Sequence, residues 1–94
     1  MINIEHHSNE GIFIAREEGK EIGNLEYERE GRIMTITHTR SFAPGRGLGR
    51  RLVAAAIDYA REQGMKIVPL CSFAKALMEK IDEYRDLMVE ENKP

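Results

Sequence analysis

The feature that most limits how this chain can fold is a change of hydrophobic period across a glycine-rich turn. Up to residue 39 apolar residues alternate with polar ones, and from residue 48 they recur every three or four positions. Between the two regimes lies Pro44-Gly45-Arg46-Gly47-Leu48-Gly49. Alternation marks half-buried strands and a spacing of three and four marks an amphipathic helix, so the turn must join a sheet to a helix. Leu48, Leu52, Val53, Ala56, Ile57 and Ala60 form the apolar stripe of that helix, with Arg50, Arg51, Asp58, Arg61 and Glu62 opposite. Gly64 is a natural stop.

The strands ahead of the turn follow in order. Met1 to His6 sets Ile2 and Ile4 among polar residues, Gly11 leads into Ile12 to Ala15, and Arg16 to Lys20 reads as a turn. Glu21 to Arg29 alternates, with Leu25 and Tyr27 on one face; Glu26 and Glu28, on the other, read as its wet side more readily than as a trap for a cationic amine. Glu30-Gly31 is a hairpin signal leading into Arg32 to Thr39. These connections are too short for crossover helices, which predicts an antiparallel meander. Beyond the long helix, Lys66 to Leu70 predicts a short buried strand. Ser72 predicts the cap of a helix carrying Phe73, Ala76, Leu77 and Lys80. Asp82 to Val89 predicts a last helix with Tyr84, Leu87 and Met88 inward, and residues 90–94 read as a frayed tail. The expectation is one α+β domain spanning residues 1–94.

The turn also carries chemistry. Three glycines leave the backbone uncovered just where a helix presents N–H groups without partners, and the peptide dipoles make such an end attractive to anions. Arg46, Arg50 and Arg51 stand at this positive end, where Asp or Glu is the favoured neighbour. Either they are solvated cations on long stems or they answer to a bound polyphosphate, and the glycines favour the second. A Walker A loop is excluded because Arg50-Arg51, not Lys-Ser/Thr, follow Gly49. A dinucleotide fingerprint is excluded because Arg50 stands where its third glycine belongs, and no acid ends the next strand.

Composition narrows the function classes. A chain of 94 residues, 41% hydrophobic and 32% charged, suits one soluble globular domain. A formal charge of −2 argues against a general nucleic-acid binder. No apolar run approaches the roughly 20 residues of a membrane span. The lone Cys71 allows no internal disulfide and suits a reducing cytoplasm. His6 and His7 read as surface residues, and no metal-ligand spacing is present. A monomer is expected.

The order strand, Gly-Arg-Gly-Leu-Gly turn, amphipathic helix, short strand resembles the GNAT acetyltransferase superfamily. Its pyrophosphate loop, Arg/Gln-x-x-Gly-x-Gly/Ala, falls here on Pro44 to Gly49. Gly47 and Gly49 match, while Pro44 replaces the Arg/Gln and removes one side-chain contact. The chain is further similar to a minimal, single-domain branch through His38-Thr39, Cys71-Ser72-Phe73-Ala74-Lys75 and Asp82-Glu83-Tyr84. The resemblance implies a GNAT fold with a splayed fifth strand and one or two short C-terminal helices. It implies an N-acetyltransferase that uses acetyl-CoA on an amine acceptor of unknown identity. The cosubstrate would then meet Thr37, His38 and Thr39 along the strand, Gly45, Arg46, Gly47, Leu48, Gly49 and Arg50 at the pyrophosphate, and Cys71, Phe73 and Lys75 beyond the fifth strand. No counterpart of the N-terminal helical segment that shapes the acceptor side in larger members is expected from these residues. A non-catalytic module that binds coenzyme A therefore stands as the second class.

Two residues are candidates for chemistry. Cys71 precedes a helix start, which favours thiolate, and is expected either to carry an acyl group, to line the thioester pocket, or to act as a small buried apolar group. His38, expected to share a face with Met34 and Ile36, is either a general base or a hydrogen-bonded core histidine. Tyr84 lies a helix too late to protonate the leaving thiolate and is expected to pack.

Overall fold

A computed structural model describes residues 1–89; the tail expected at 90–94 lies outside the described residues. Four strands, β1 (Ile2–His7), β2 (Ile12–Glu17), β3 (Lys20–Glu30) and β4 (Ile33–Ser41), run antiparallel in sequence order. A helix, α1 (Leu48–Gln63), crosses to β5 (Lys66–Pro69), which pairs with β4 in parallel and completes a five-stranded sheet. Two short helices, α2 (Ser72–Lys80) and α3 (Asp82–Arg85), follow.

The meander forms as the alternation requires. The turn expected across Arg16 to Lys20 tightens to Glu18-Gly19, both with positive φ, the backbone of a two-residue hairpin whose twist matches its strands. Phe13, Ala15, Leu25, Tyr27, Met34 and Ile36 point into one core with Ile67. α1 buries all six residues of its apolar stripe there, and Gly64 ends it in the left-handed conformation. The other sheet face carries Ile12, Ile14, Glu26, Glu28 and Thr35, none of them buried.

Three expectations are corrected. In α2 the buried residues are Ala74, Leu77 and Met78, while Phe73 and Ala76 are exposed, and Cys71 rather than Ser72 is the N-cap. The last helix keeps a single turn. Beyond it Leu87 O accepts from Ile67 N–H at 2.7 Å and Val89 N–H donates to Ile67 O at 2.9 Å, so the open edge of β5 draws the chain out of the helix. Tyr84, Leu87 and Met88 do turn inward.

The third correction is His6. It is half-buried, stacked on Phe13 at 3.9 Å between ring centroids and met edge-on by Tyr59 at 4.3 Å. Its Nε2 lies 2.6 Å from Tyr27 Oη. Burial, helped by the charge of His7, lowers its pKa below the ordinary imidazole value. The folded state therefore prefers the neutral ring, and stability should be greatest above about pH 6.5 and fall as pH drops through the lowered folded pKa. Thermal melts of His6→Phe between pH 7 and pH 5 should show a flatter decline than wild type. An unchanged slope would remove His6 as the source.

Candidate functional site

The site grows out of the place where β4 and β5 part. They pair from Ile33 with Lys66 to Ile36 with Pro69, and there β5 stops while β4 runs on to Ser41 beside β3 alone. One carbonyl, Ile36 O, accepts from both Leu70 N–H at 3.0 Å and Cys71 N–H at 3.1 Å, and this forked bond turns the chain away into α2. A gap opens between Thr37 to Ser41 on one side and the start of α2 on the other.

Cys71 and Thr39 meet across that gap, with Sγ 3.4 Å from Oγ1. Burial pushes the half-buried thiol up. The Thr39 hydroxyl, then the N–H groups of Ala74 and Phe73 at the helix start, favour the thiolate, and the net shift is downward. No capping hydrogen bond from the side chain is formed, so these N–H groups act on the sulfur as near dipoles, and the Thr39 contact is the firmer one.

His38 goes elsewhere than its spacing suggests. Glu26 pairs with His38 and Tyr27 with Ile36, so β4 carries one extra residue at Thr37, a bulge. The extra residue reverses the side-chain parity: Thr39, opposite buried Leu25, faces the core, and His38, opposite Glu26, faces out. The imidazole and the sulfur thus stand on opposite faces of β4. The Thr37 hydroxyl donates to Glu26 O at 3.2 Å and so accepts from His38 Nδ1–H at 3.1 Å. Glu26 also lies 3.4 Å from Nδ1 and takes Arg40 at 3.0 Å. This network assigns the proton to Nδ1 and leaves the Nε2 lone pair open. Beside it Glu10, Glu26, Glu28 and Thr37 help line a hollow of about 350 Å³.

At the turn, Gly47 caps α1 with φ 67°, and Arg51 N–H is the first to find a helical acceptor, Gly47 O at 3.2 Å. The N–H groups of Leu48, Gly49 and Arg50 precede it and have no helical acceptor. No side chain caps them and no acid occupies the first turn. Nothing lies within 4 Å of the place a Cβ would take at Gly45 or Gly47. Gly49 is different, because the Phe73 ring lies 2.8 Å from its Cβ position. The Leu48 side chain is buried in the core, so only its backbone faces the turn. Arg46 is bound to Glu17 by two bonds of 2.9 and 2.8 Å. That leaves Arg50 and Arg51 exposed at the helix start, with Lys75 exposed on α2.

Most of the residues singled out in the sequence thus converge around one gap, with His38 behind it and Arg46 held aside. Glu17, which decides where Arg46 points, ends β2 within a charged stretch that reads as a turn, and gave no signal of its own. Among the described residues no cluster of His, Cys, Asp or Glu is arranged to hold a metal ion.

The comparisons bear on this geometry. Residues 12–87 match the model of a family described as GCN5-related N-acetyl-transferase. A GCN5-like protein from Staphylococcus aureus, solved by NMR, is 30% identical with a TM-score of 0.75, over 96% of this chain and 90% of that one. A Bacillus anthracis protein solved in complex with acetyl coenzyme A is 26% identical with a TM-score of 0.57, over 73% of this chain and 44% of its own. An N-acetylglutamate synthase from Neisseria gonorrhoeae, complexed with coenzyme A and N-acetyl-glutamate, shares the fold with a TM-score of 0.58 at 22% identity, over 72% of this chain and 19% of its own. The chain spans nearly all of the first and less than half of the other two. No curated protein matches it.

Proposed function

The chain belongs to the GCN5-related N-acetyltransferase family, and from that premise we propose that it transfers an acetyl group from acetyl-CoA to an amine. The observation that carries the reading is the gap left where β4 outruns β5, with an uncovered glycine pair and an uncapped helix start near it. The residues present suit the cosubstrate. The N–H groups of Leu48, Gly49 and Arg50, over the bare backbone of Gly45 and Gly47, would hold the pyrophosphate, with Arg50 and Arg51 adding charge. The backbone of Thr37, His38 and Thr39 would follow the pantetheine arm. When bound, acetyl-CoA supplies an acetyl group activated as a thioester.

The chain's own part is orientation and proton transfer. As the amine nitrogen bonds to the acetyl carbon and the carbon–sulfur bond breaks, coenzyme A leaves as its thiolate, and His38 Nε2, meeting the acceptor from the outer face of β4, takes the amine proton. Glu26 and Thr37 hold the ring by Nδ1. Backbone N–H groups along β4 stabilise the charge on the acetyl oxygen. Cys71 lies across the gap, placed to take the acetyl group or to line its pocket. The hollow bounded by Glu10, Glu26 and Glu28 has the charge to receive a cationic acceptor.

Calorimetric titration tests the first half. Acetyl-CoA should bind saturably, and affinity should fall between 50 and 500 mM salt, a range over which the Debye length shrinks from above 10 Å to below 5 Å. Mass spectrometry of incubations with a panel of polyamines and peptides tests the second half, acetylated amine being the expected product. Binding without product from any amine would favour the non-catalytic module, and absence of binding would overturn both readings.

A further inference from the structure

The contact between Phe73 and Gly49 has no part in the reading above, yet it joins the two helix starts that frame the gap. Ring atoms Cε2 and Cζ lie 2.8 Å from where a Cβ on residue 49 would stand. Unlike Gly45 and Gly47, Gly49 has ordinary helical φ and lies in the first turn of α1, where alanine is the better helix former. Backbone conformation therefore does not call for glycine here, whereas the ring does. Phe73, 42% exposed, is the second residue of α2 and follows the N-cap Cys71 by two. The start of α2 is otherwise tied to the sheet through the forked bond to Ile36 O and the Cys71–Thr39 contact, with Ala74 buried in the core.

We infer that Phe73 is a positioning residue, its ring laid on the bare backbone of Gly49 so that the first turn of α2 holds Cys71 Sγ against Thr39. Beside the core packing of Ala74, two pins set the sulfur. The forked bond to Ile36 O fixes the backbone of Leu70 and Cys71, and the ring on Gly49 fixes the rotation of the turn whose N–H groups face the sulfur. A methyl group at residue 49 pushes out the far end of a side chain that is free to swing into solvent. Gly49→Ala therefore releases the turn at small cost in stability, which separates positioning from packing. Phe73 matters to transfer only where the gap is the acetyl-CoA site proposed above, but its hold on the sulfur is measurable without that site.

The test is the pH profile of iodoacetamide alkylation at Cys71, the sole cysteine, in wild type, Gly49→Ala, Phe73→Ala and Phe73→Tyr, with thermal melts of each. Wild type should react with a midpoint below the roughly 8.5 of a free thiol. In Gly49→Ala and Phe73→Ala the midpoint should rise, slowing alkylation at pH 7 by about threefold. Phe73→Tyr, which keeps the ring, should follow wild type. Superimposable profiles for wild type and Gly49→Ala, or a shift in Phe73→Tyr equal to that in Phe73→Ala, would overturn the assignment. A wild-type midpoint at the free-thiol value would overturn it too. Should Phe73→Ala not fold, the comparison of Gly49→Ala with Phe73→Tyr decides alone. Loss of the acetyl-CoA reading would show separately, as a wild-type protein that keeps the depressed midpoint but does not bind acetyl-CoA.

Discussion

Gly47→Val is expected to weaken acetyl-CoA binding on the order of tenfold or more, about 1.4 kcal/mol. Its φ of +67° and the empty space before it make two separate demands. A valine there adopts a left-handed backbone at a cost of about 1–2 kcal/mol, and its methyl groups enter the approach to the helix start. The strain alone would lower the melting temperature, so a control that shares it is needed. Gly31→Val supplies one, because Gly31 also has positive φ (+60°) with nothing within 4 Å, in the β3–β4 hairpin away from the glycine-rich turn. Both variants should melt about 4–8 °C lower per kcal/mol lost. Only Gly47→Val should lose affinity in the titration. Equal affinity in the two would place the pyrophosphate elsewhere.

Cys71→Ser should separate binding from transfer. Serine keeps a hydroxyl within reach of Thr39 and the half-buried position tolerates it, so the melting temperature and acetyl-CoA affinity should stay near wild type. What it loses is a thiol whose pKa burial raises but Thr39 and the α2 N–H groups bring down on balance, which favours the thiolate. Transfer to an acceptor found in the amine screen should drop at least about tenfold in kcat/KM, about 1.4 kcal/mol of barrier. An acetyl adduct on Cys71 of the native chain, seen by mass spectrometry after brief incubation with acetyl-CoA, would distinguish a nucleophile from a pocket wall. Full transfer by Cys71→Ser would leave the chemistry to His38 and the backbone.

These expectations rest unevenly on sequence and on tertiary structure. The sequence by itself determined whatever depends on neighbours along the chain. The stripe from Leu48 to Ala60 buries as its spacing requires, since residues three and four apart share a helix face whatever lies opposite. The meander follows from alternation and short turns. The uncapped helix start follows from Gly-Arg-Gly-Leu-Gly, because orphan N–H groups belong to any helix end. The gap at Cys71 was legible through family resemblance.

Tertiary structure decided whatever depends on a partner far away in sequence. His38 turned outward because one extra residue at Thr37 shifts the register against β3, and parity along a strand survives only until the first bulge. Arg46 left the helix start for Glu17, 29 residues earlier. His6 became part of an aromatic cluster whose other members stand on β2, β3 and α1. Asp82 to Val89 lost most of its helix because the vacant edge of β5 offered backbone partners. Gly49 reads as a third open glycine in the sequence and is closed by Phe73, 24 positions on, in the fold. Periodicity fixes which face a residue shares with its neighbours in sequence, whereas register, charge pairing and ring contacts are settled only when the elements dock.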